Sequence, residues 1–303
     1  MSDQSPAVFI NPFTDFGFKK LFGTEYNKDL LIAFLNALLK PATPIKDLSY
    51  RPTEFLGDDR DSRNSIFDVY CHLDDGSRII VELQNLRQRY FKDRSLYYAT
   101  FPITQQAVKG KWDFLLDPVY TVGILNFNMD MESPECCNHE VVLLDKSTQK
   151  QFYEKLTFFY LEMPKFNKKP EELETDLDRW LYVIKNLVEL SHKPAVLKGK
   201  IFDKLFEAAQ LAALSPAERA TYNGSLKAMW DDYATKKTFY EDGHAEGHAE
   251  GLAEGLAEGR AEGLTEGQEQ KAREIAKNLK NAGVDIKTIS QSTGLSEDEI
   301  RKL

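Results

Sequence analysis

Hydrophobic and polar residues alternate along two short segments between residues 66 and 84, on either side of a sequence that is typical of a turn. Successive side chains of a β-strand point to opposite faces, so every second residue shares a face. The pattern therefore predicts a β-hairpin with one wholly apolar face. That face carries Phe67, Val69, Cys71 and Leu73 from the first strand, and Ile79, Val81 and Leu83 from the second.

The turn between the two predicted strands sets their register. The three residues Asp74-Asp75-Gly76 suit a type I turn followed by a glycine in the left-handed conformation. Paired residue numbers then sum to 150, so Val69 pairs with Val81. We expect Asp68 directly opposite Glu82 on the other face, with Cβ atoms about 5 Å apart. The hairpin thus brings one carboxylate from each strand together.

Periodicity in the rest of the first half predicts helices that alternate with strands. We expect two helices between Asp15 and Leu39 with a break near Gly23, a strand from Ile45 to Leu56, a helix from Arg89 to Lys109, and strands from Pro118 to Phe127, from His139 to Leu144 and from Tyr153 to Glu162. A helix followed by a hydrophobic strand is typical of α/β crossover connections. The expected fold class is α/β, with a mixed central sheet flanked by helices over residues 1–165.

The second half of the chain is predicted to be helical, with a repeat inside it. Residues 166–240 suggest a helical subdomain that packs against the first domain or against a second protomer. Within 241–270, a Gly-Ala-Glu tetrapeptide recurs every four residues. Each glycine costs a helix about 1 kcal/mol relative to alanine, which favours a flexible acidic linker. The alternative is a helical stalk that joins copies of the chain, since small residues let helix backbones approach.

Residues 271–303 suggest three short helices, with glycines where two of them should end. Their spacing resembles a helix-turn-helix, whose second helix would read DNA. The last helix has few basic and amide side chains, so a small helical docking or dimer element is an equal alternative. We expect the chain to form a homo-oligomer.

Composition places these elements in a cytoplasmic protein without a membrane span. The 303 residues contain no apolar run near 18 residues and no signal-peptide pattern at the N-terminus. Three cysteines read as reduced thiols. The net charge of −9 is concentrated in residues 241–270, which hold nine acidic residues and one basic residue. The body of the chain is therefore nearly neutral and can carry local basic patches.

The two opposed carboxylates of the hairpin require compensation. Like charges placed directly opposite each other repel, and partial burial strengthens that repulsion, so a cation or a shared proton is expected. Carboxylate oxygens at this separation suit Mg²⁺ or Mn²⁺, which keep several waters and leave room for phosphate oxygens. Gln84 projects from the same face as Glu82 and can hydrogen-bond to a bound water or a phosphate. An edge ribbon whose Asp68 and Glu82 face solvent is the simpler alternative.

The order of these residues resembles a known family. Asp68, the hairpin turn and Glu82-Leu83-Gln84 resemble the core of the PD-(D/E)XK nuclease superfamily, in the variant with glutamine at the usual lysine position. The segment NPFTDFGFKKLFG at residues 11–23, with Arg94 and Tyr97-Tyr98, resembles the Rpn-type recombination-promoting nucleases, often classed as transposases. These motifs cover roughly the first half of the chain.

The resemblance implies a restriction-endonuclease-like fold and a set of roles. Asp68 and Glu82 match the metal-binding carboxylates, the backbone carbonyl of Leu83 a further ligand, Gln84 the lysine position, and Asp15 an acidic residue of the first helix. The implied activity is Mg²⁺-dependent hydrolysis of phosphodiester bonds in DNA, with Mn²⁺ as an alternative metal, in recombination or mobile-element biology. Glutamine can orient a nucleophile but carries no charge, so activity would depend more strongly on the metal.

Four further residues are candidates for contacts with DNA. Lys19, Lys20 and Arg94 offer charge to phosphates, and Tyr98 can stack on a base. Solvated helix faces and packed tyrosines are the alternative interpretation. The corresponding alternative function is a non-catalytic nucleic-acid-binding or oligomeric adaptor protein on a degenerate nuclease fold.

Overall fold

The structure is a computed structural model that describes residues 7–55, 65–129 and 135–303. The chain divides into two compact units, Met1–Tyr233 and Ala234–Leu303. The first unit contains the predicted core domain together with residues 166–233 of the predicted helical subdomain, whose last residues, 234–240, fall in the second unit. None of the helices in the described ranges is long and apolar enough to cross a membrane.

A mixed six-stranded sheet forms the centre of the first unit. The strands of the described residues, including two outside this sheet, are β1 (Leu48–Tyr50), β2 (Glu54–Phe55), β3 (Ser65–Ile66), β4 (Val69–Leu73), β5 (Arg78–Gln84), β6 (Val119–Leu125), β7 (Asn138–Asp145) and β8 (Lys150–Glu162). Their order in the sheet is β1-β4-β5-β6-β8-β7, while β2 and β3 form a separate small ribbon. β5, β6 and β8 run parallel, and the other neighbours pair antiparallel. The carboxyl ends of the three parallel strands therefore meet at one edge of the sheet.

Helices cover both faces of this sheet. The helices of the described residues are α1 (Asp15–Phe22), α2 (Lys28–Leu39), α3 (Phe91–Thr104), α4 (Asp176–Asn186), α5 (Lys200–Ala208), α6 (Pro216–Asn281), α7 (Ile286–Thr293) and α8 (Glu297–Lys302), with 3₁₀ turns at Glu25–Asn27, Met163–Lys165, Pro170–Glu172, Leu187–Glu189 and Leu211–Ala213; α7 and α8 belong to the second unit. α1, α2, α4 and α5 share the large core on one face, and α3 packs on the other.

An aromatic cluster joins the first helices to the helices that follow the sheet. The rings of Phe22 and Phe34 lie 6.0 Å and 5.9 Å from Trp180, centroid to centroid, and Phe202 lies 5.2 Å from the same indole. Aromatic pairs at such distances contribute about 0.5–1.5 kcal/mol beyond their buried area. Residues on both sides of the predicted boundary at 165/166 therefore share one core.

Most elements appear where the periodicity predicts them. The two helices broken near Gly23, the helix after the hairpin and the three later strands are all present. The strand predicted over 45–56 is instead two short strands, β1 and β2, that belong to different sheets, and Leu56 lies outside the described residues. The helix predicted to end at Lys109 ends at Thr104.

The tetrapeptide repeat is helical, so the prediction of a flexible linker is wrong. Residues 243–267 lie within α6. Alanine and glutamate fill two of every four positions and are strong helix formers, which offsets the cost of the glycines. A Cβ added at any glycine from Gly243 to Gly267 would meet nothing within 4 Å, so these glycines are not required by packing inside this chain.

The end of the second unit contains a small helical core. The end of α6 packs against α7 and α8, and this contact buries four side chains together: Ala276, Ile289, Leu295 and Ile300. Gly294 ends α7 with φ of +75°, and a capping box between Ser296 and Glu299 begins α8. Two of the three short helices predicted here are therefore α7 and α8, whereas the first is the end of the long helix α6.

Candidate functional site

The predicted hairpin register is correct, but the ladder is shorter than predicted. Val69 pairs with Val81 and Cys71 with Ile79. The chain bends at Asp68, so this residue has no backbone pair in β5 and the expected direct pairing with Glu82 is wrong. Non-local bonding accounts for the bend, because the Phe67 N–H donates to the Thr53 carbonyl at 2.9 Å rather than to β5.

The bend also moves Phe67 to the other face. Phe67 packs with Tyr70 and Ile80, not with Val69 as predicted, because the alternation of side chains is interrupted at Asp68. Tyr98 and Phe101 of α3 cover this cluster. The second face of the hairpin is therefore buried as well, and the interpretation as an edge ribbon with solvent-facing carboxylates is wrong.

The carboxylate of Asp68 takes the place of the missing backbone partner. Its Oδ2 accepts a hydrogen bond of 2.6 Å from the Leu83 N–H. The N–H and C=O of one strand residue point to the same side of the strand, so the Leu83 carbonyl also points towards Asp68. A backbone carbonyl and a carboxylate thus face the same edge of β5.

Glu82 is buried beside this edge, with only 5% of its surface exposed. Its Oε2 accepts a 3.1 Å hydrogen bond from the Gln84 amide and lies 3.7 Å from the Arg94 guanidinium. Its Oε1 is buried and has no hydrogen-bond partner among the residues that the structure describes. A buried carboxylate oxygen without a partner is costly, so this site has an unmet need for a donor or a cation.

Both carboxyl groups titrate abnormally. Burial, with a smaller contribution from Asp68, raises the pKa of Glu82 to about 8 from its usual 4.5, against the opposing effect of Arg94. Burial also raises the pKa of Asp68, although the Leu83 N–H opposes that shift. The protein alone therefore disfavours two negative charges here, and a bound cation would restore them.

The oxygen atoms at this site fit a hard divalent metal. Asp68, Glu82 and the Leu83 carbonyl are the ligand types that Mg²⁺ and Mn²⁺ prefer, and Mg²⁺ needs only one or two carboxylates. The described residues contain no group of three or more His, Cys, Asp or Glu side chains that could hold a metal. Such a site would therefore combine two carboxylates with the backbone and waters, and it does not resemble a zinc site.

Arg94 is held in a fixed position next to Glu82. Its Nε donates to the Tyr98 hydroxyl at 2.9 Å, its Nη1 donates to Gln88 Oε1 at 2.8 Å, and its guanidinium lies 4.9 Å from the centre of the Tyr98 ring. The Tyr98 ring itself packs edge-on against Phe67 at 5.1 Å. Tyr98 thus has a packing role in this structure, and its predicted stacking on a base stays a prediction.

The residues of α1 divide between two environments. Asp15 and Lys19 form an exposed ion pair of 2.7 Å. After burial and the Leu83 N–H, the next influences on the pKa of Asp68 are Lys19, which lowers it, and Asp15, which raises it, so both lie within electrostatic reach of the site. Lys20 instead pairs with Glu218 of α6 at 2.5 Å.

Two polar residues near Glu82 have no signal in the sequence pattern. Thr121 of β6 and Ser95 of α3 line a small cavity together with Glu82 and Gln84. β5 and β6 are joined in the chain by α3 and pair directly with each other in parallel. The periodicity of a single strand does not reveal which strand is its neighbour. The alternation of β6 predicts a buried strand and nothing more about Thr121.

Comparison with protein-family models gives two matches. Residues 12–238 match the PD-(D/E)XK nuclease family transposase, and residues 269–303 match the C-terminal HTH domain of the Rpn/YhgA-like nuclease family. Neither the curated proteins nor the solved structures give a match. The first match contains both carboxylates, the sheet and its helices. The chain therefore belongs to the PD-(D/E)XK nuclease family transposases and has a restriction-endonuclease-like α/β fold.

Proposed function

We propose that this protein is a metal-dependent endonuclease that hydrolyses phosphodiester bonds in DNA. The observation that carries the proposal is the convergence of Asp68, Glu82 and the Leu83 carbonyl at one edge of β5. Glu82 is buried and Asp68 is half-buried, the two carboxylates interact with each other, and both have raised pKa values. Such perturbed acid pairs are typical of functional sites.

In this proposal Asp68, Glu82 and the Leu83 carbonyl hold Mg²⁺, or Mn²⁺ in its place. A divalent ion supplies Lewis-acid chemistry when bound, since it stabilises negative charge on phosphate oxygens and makes water a better nucleophile. The Leu83 N–H orients Asp68 through the 2.6 Å hydrogen bond. The Gln84 amide orients Glu82 and can turn towards the nucleophile, because it is two residues further along the same face.

We further propose that Arg94 supplies the positive charge that Gln84 lacks. Its guanidinium lies 3.7 Å from Glu82 Oε2 and is fixed by Tyr98 and Gln88. Arginine can bind phosphate oxygens through two parallel hydrogen bonds, so it suits an anionic transition state. Asp15 and Lys19 border the site from α1, where Lys19 can contact the DNA backbone.

DNA as the partner is supported from both ends of the chain. Residues 12–238 match a nuclease family, and residues 269–303 match a helix-turn-helix domain of related nucleases. We also propose a role in recombination or transposition, and a homo-oligomer joined through the second unit, where Leu252, Leu256 and Leu264 are exposed on α6. A cytoplasmic location fits the three cysteines, which are free thiols.

The test is nicking of supercoiled plasmid by the purified full-length protein with Mg²⁺ or Mn²⁺. Asp68→Asn and Glu82→Gln keep the shape of each side chain and remove its charge, so both should abolish nicking. Glu140→Gln is the matched control, because Glu140 is an exposed carboxylate on the edge strand β7 and should leave nicking unchanged. Cleavage that persists in both site variants would exclude this site.

A non-catalytic DNA-binding protein is the second candidate, and Gln84 is the observation that favours it. Without the lysine of the common pattern, a nuclease fold can keep DNA binding and lose cleavage. Fluorescence anisotropy with a labelled duplex separates the two functions. Binding without metal-dependent nicking in the unmodified protein would support the second candidate, whereas nicking that requires Asp68 would refute it.

A further inference from the structure

A small cavity lies on the α3 side of β5, next to Glu82. Its lining consists of Glu82, Gln84, Phe91, Arg94, Ser95, Tyr98, Thr121 and Gly123. The room for the centre of a water molecule is about 10 Å³. This is close to the minimum that one internal water requires, and far too small for a larger ligand.

Two buried polar atoms among the residues of this cavity lack hydrogen-bond partners. They are Oε1 of Glu82 and Oγ1 of Thr121, and neither has a partner within the described ranges. Glu82 is 5% exposed and Thr121 is 2% exposed, so bulk water does not solvate either side chain. Polar groups this deeply buried are nearly always satisfied, and two of them beside one cavity indicate a shared partner.

The sheet register explains why the cavity is present. β5 and β6 pair in parallel with Ile80 opposite Thr121 and Glu82 opposite Gly123, so Thr121 and Glu82 are diagonal neighbours on one face. A Cβ at position 123 would lie 3.1 Å from Cδ1 of Tyr160 and 3.4 Å from Cζ of Phe91. Glycine therefore leaves space beside the carboxylate that no other residue at this position would leave.

Two hydroxyl groups of α3 complete a polar environment. Ser95 Oγ accepts a 2.9 Å hydrogen bond from the Tyr160 hydroxyl, which leaves its own hydrogen available for donation. The Tyr98 hydroxyl accepts from Arg94 and likewise keeps its hydrogen. With Glu82 and Thr121, these groups provide the two to four partners that an ordered internal water needs.

We propose that one buried water molecule occupies this cavity and joins Glu82 Oε1 to Thr121 Oγ1, which makes Thr121 a positioning residue for the metal-binding carboxylate. The positioning role rests on the proposed function, because it requires that Glu82, the residue that the water holds, binds the metal. Groups that orient a metal ligand in this way change metal affinity by about 10- to 100-fold when they are removed.

The test compares Mn²⁺ binding to the full-length protein and to two variants by isothermal titration calorimetry. Thr121→Val keeps the shape of the side chain and removes the hydroxyl, and it should weaken Mn²⁺ binding about tenfold or more. Thr121→Ser retains the hydroxyl and should bind Mn²⁺ nearly as the unmodified protein does. Thermal unfolding with EDTA shows that both variants are folded. Equal affinity in Thr121→Val and the unmodified protein would overturn the positioning role.

A high-resolution crystal structure of the metal-free protein tests the water independently of activity. A water peak within hydrogen-bond distance of both Glu82 Oε1 and Thr121 Oγ1 is the expected result, and a dry cavity would overturn the inference. The two hypotheses can fail separately. A protein that does not nick DNA, but that shows the water and the dependence of Mn²⁺ affinity on Thr121, would refute the endonuclease and retain the positioning residue.

Discussion

Raising the pH should destabilise the first unit of the metal-free protein through Glu82. Burial holds the pKa of this carboxyl at about 8 in the folded chain, against 4.5 for the ordinary group. Between these two values the folded state binds a proton that the unfolded state has lost. The free energy of unfolding therefore falls as the pH rises from 4.5 to about 8. The stabilisation that comes from the protonated Glu82 is complete only below pH 4.5. Burial raises the pKa of Asp68 as well, which acts in the same direction.

Other groups restrict where this effect can be measured cleanly. Burial, with Arg51 and Arg78 nearby, lowers the pKa of His72 to about 4 from 6.5, so His72 makes the protein more stable as pH rises between these values. Burial raises the pKa of Cys71 to about 12 from 9, which acts only above pH 9. The interval from pH 6.5 to 8 therefore isolates the carboxyl pair. If unfolding releases one proton throughout this interval, the free energy of unfolding falls by at most about 2 kcal/mol across it.

The assay is urea unfolding in EDTA at several pH values, followed by tryptophan fluorescence. All three tryptophans, at positions 112, 180 and 230, belong to the first unit, so the signal reports that unit. Glu82→Gln should remove most of the dependence on pH, and the exposed-site variant Glu140→Gln should keep it. A free energy of unfolding that is constant or rises between pH 6.5 and 8, or a slope unchanged in Glu82→Gln, would refute the electrostatic argument.

Three further predictions concern the charge at the site, the hairpin turn and the second unit. Arg94→Ala should slow plasmid nicking about 100-fold, and a rate equal to that of the unmodified protein would show that Arg94 supplies no needed charge. Gly76→Ala should lower the free energy of unfolding by about 1–2 kcal/mol in urea, because Gly76 has φ of +89°, and no loss would argue against the left-handed turn. Truncation after Tyr240 should reduce the number of protomers per particle in light scattering, whereas an unchanged protomer number would remove the second unit from assembly.

Local sequence rules predict the hairpin well because its turn and its alternation are local properties. The loop Asp74-Asp75-Gly76 was enough to give the register of Val69 with Val81. The bend at Asp68 depends instead on Thr53 and Leu83, which are distant in sequence and compete for the backbone groups of this segment. If the alternation of faces is extended beyond the last backbone pair, Val69 with Val81, it therefore places Phe67 on the wrong face of the sheet.

The site itself was predictable only where a motif carries it. Asp68, Glu82 and Gln84 are recognisable by their order, but the burial of Glu82 depends on α3, whose Arg94, Ser95 and Tyr98 line the cavity beside it. The proximity of Thr121 requires knowledge that β6 is the parallel neighbour of β5. The helical conformation of the repeat within α6 was missed for a different reason. The cost of glycine and the helix propensity of alanine and glutamate nearly balance, so neither rule alone decides between a helix and a flexible linker.

The position of Arg94 gives a physical reason why glutamine can occupy the usual lysine position. Gln84 already touches Glu82 Oε2 at 3.1 Å, so a lysine at the same place would form a direct ion pair with the carboxylate proposed to hold the metal. Such a pair competes with a cation for the same oxygen. Arg94 approaches from α3 at 3.7 Å and is restrained by Tyr98 and Gln88, so its charge acts on Glu82 without a hydrogen bond to it. In our proposal the positive charge of the site therefore comes from Arg94 on α3 and not from a lysine on β5. Cleavage then depends on the packing that holds α3 against β5.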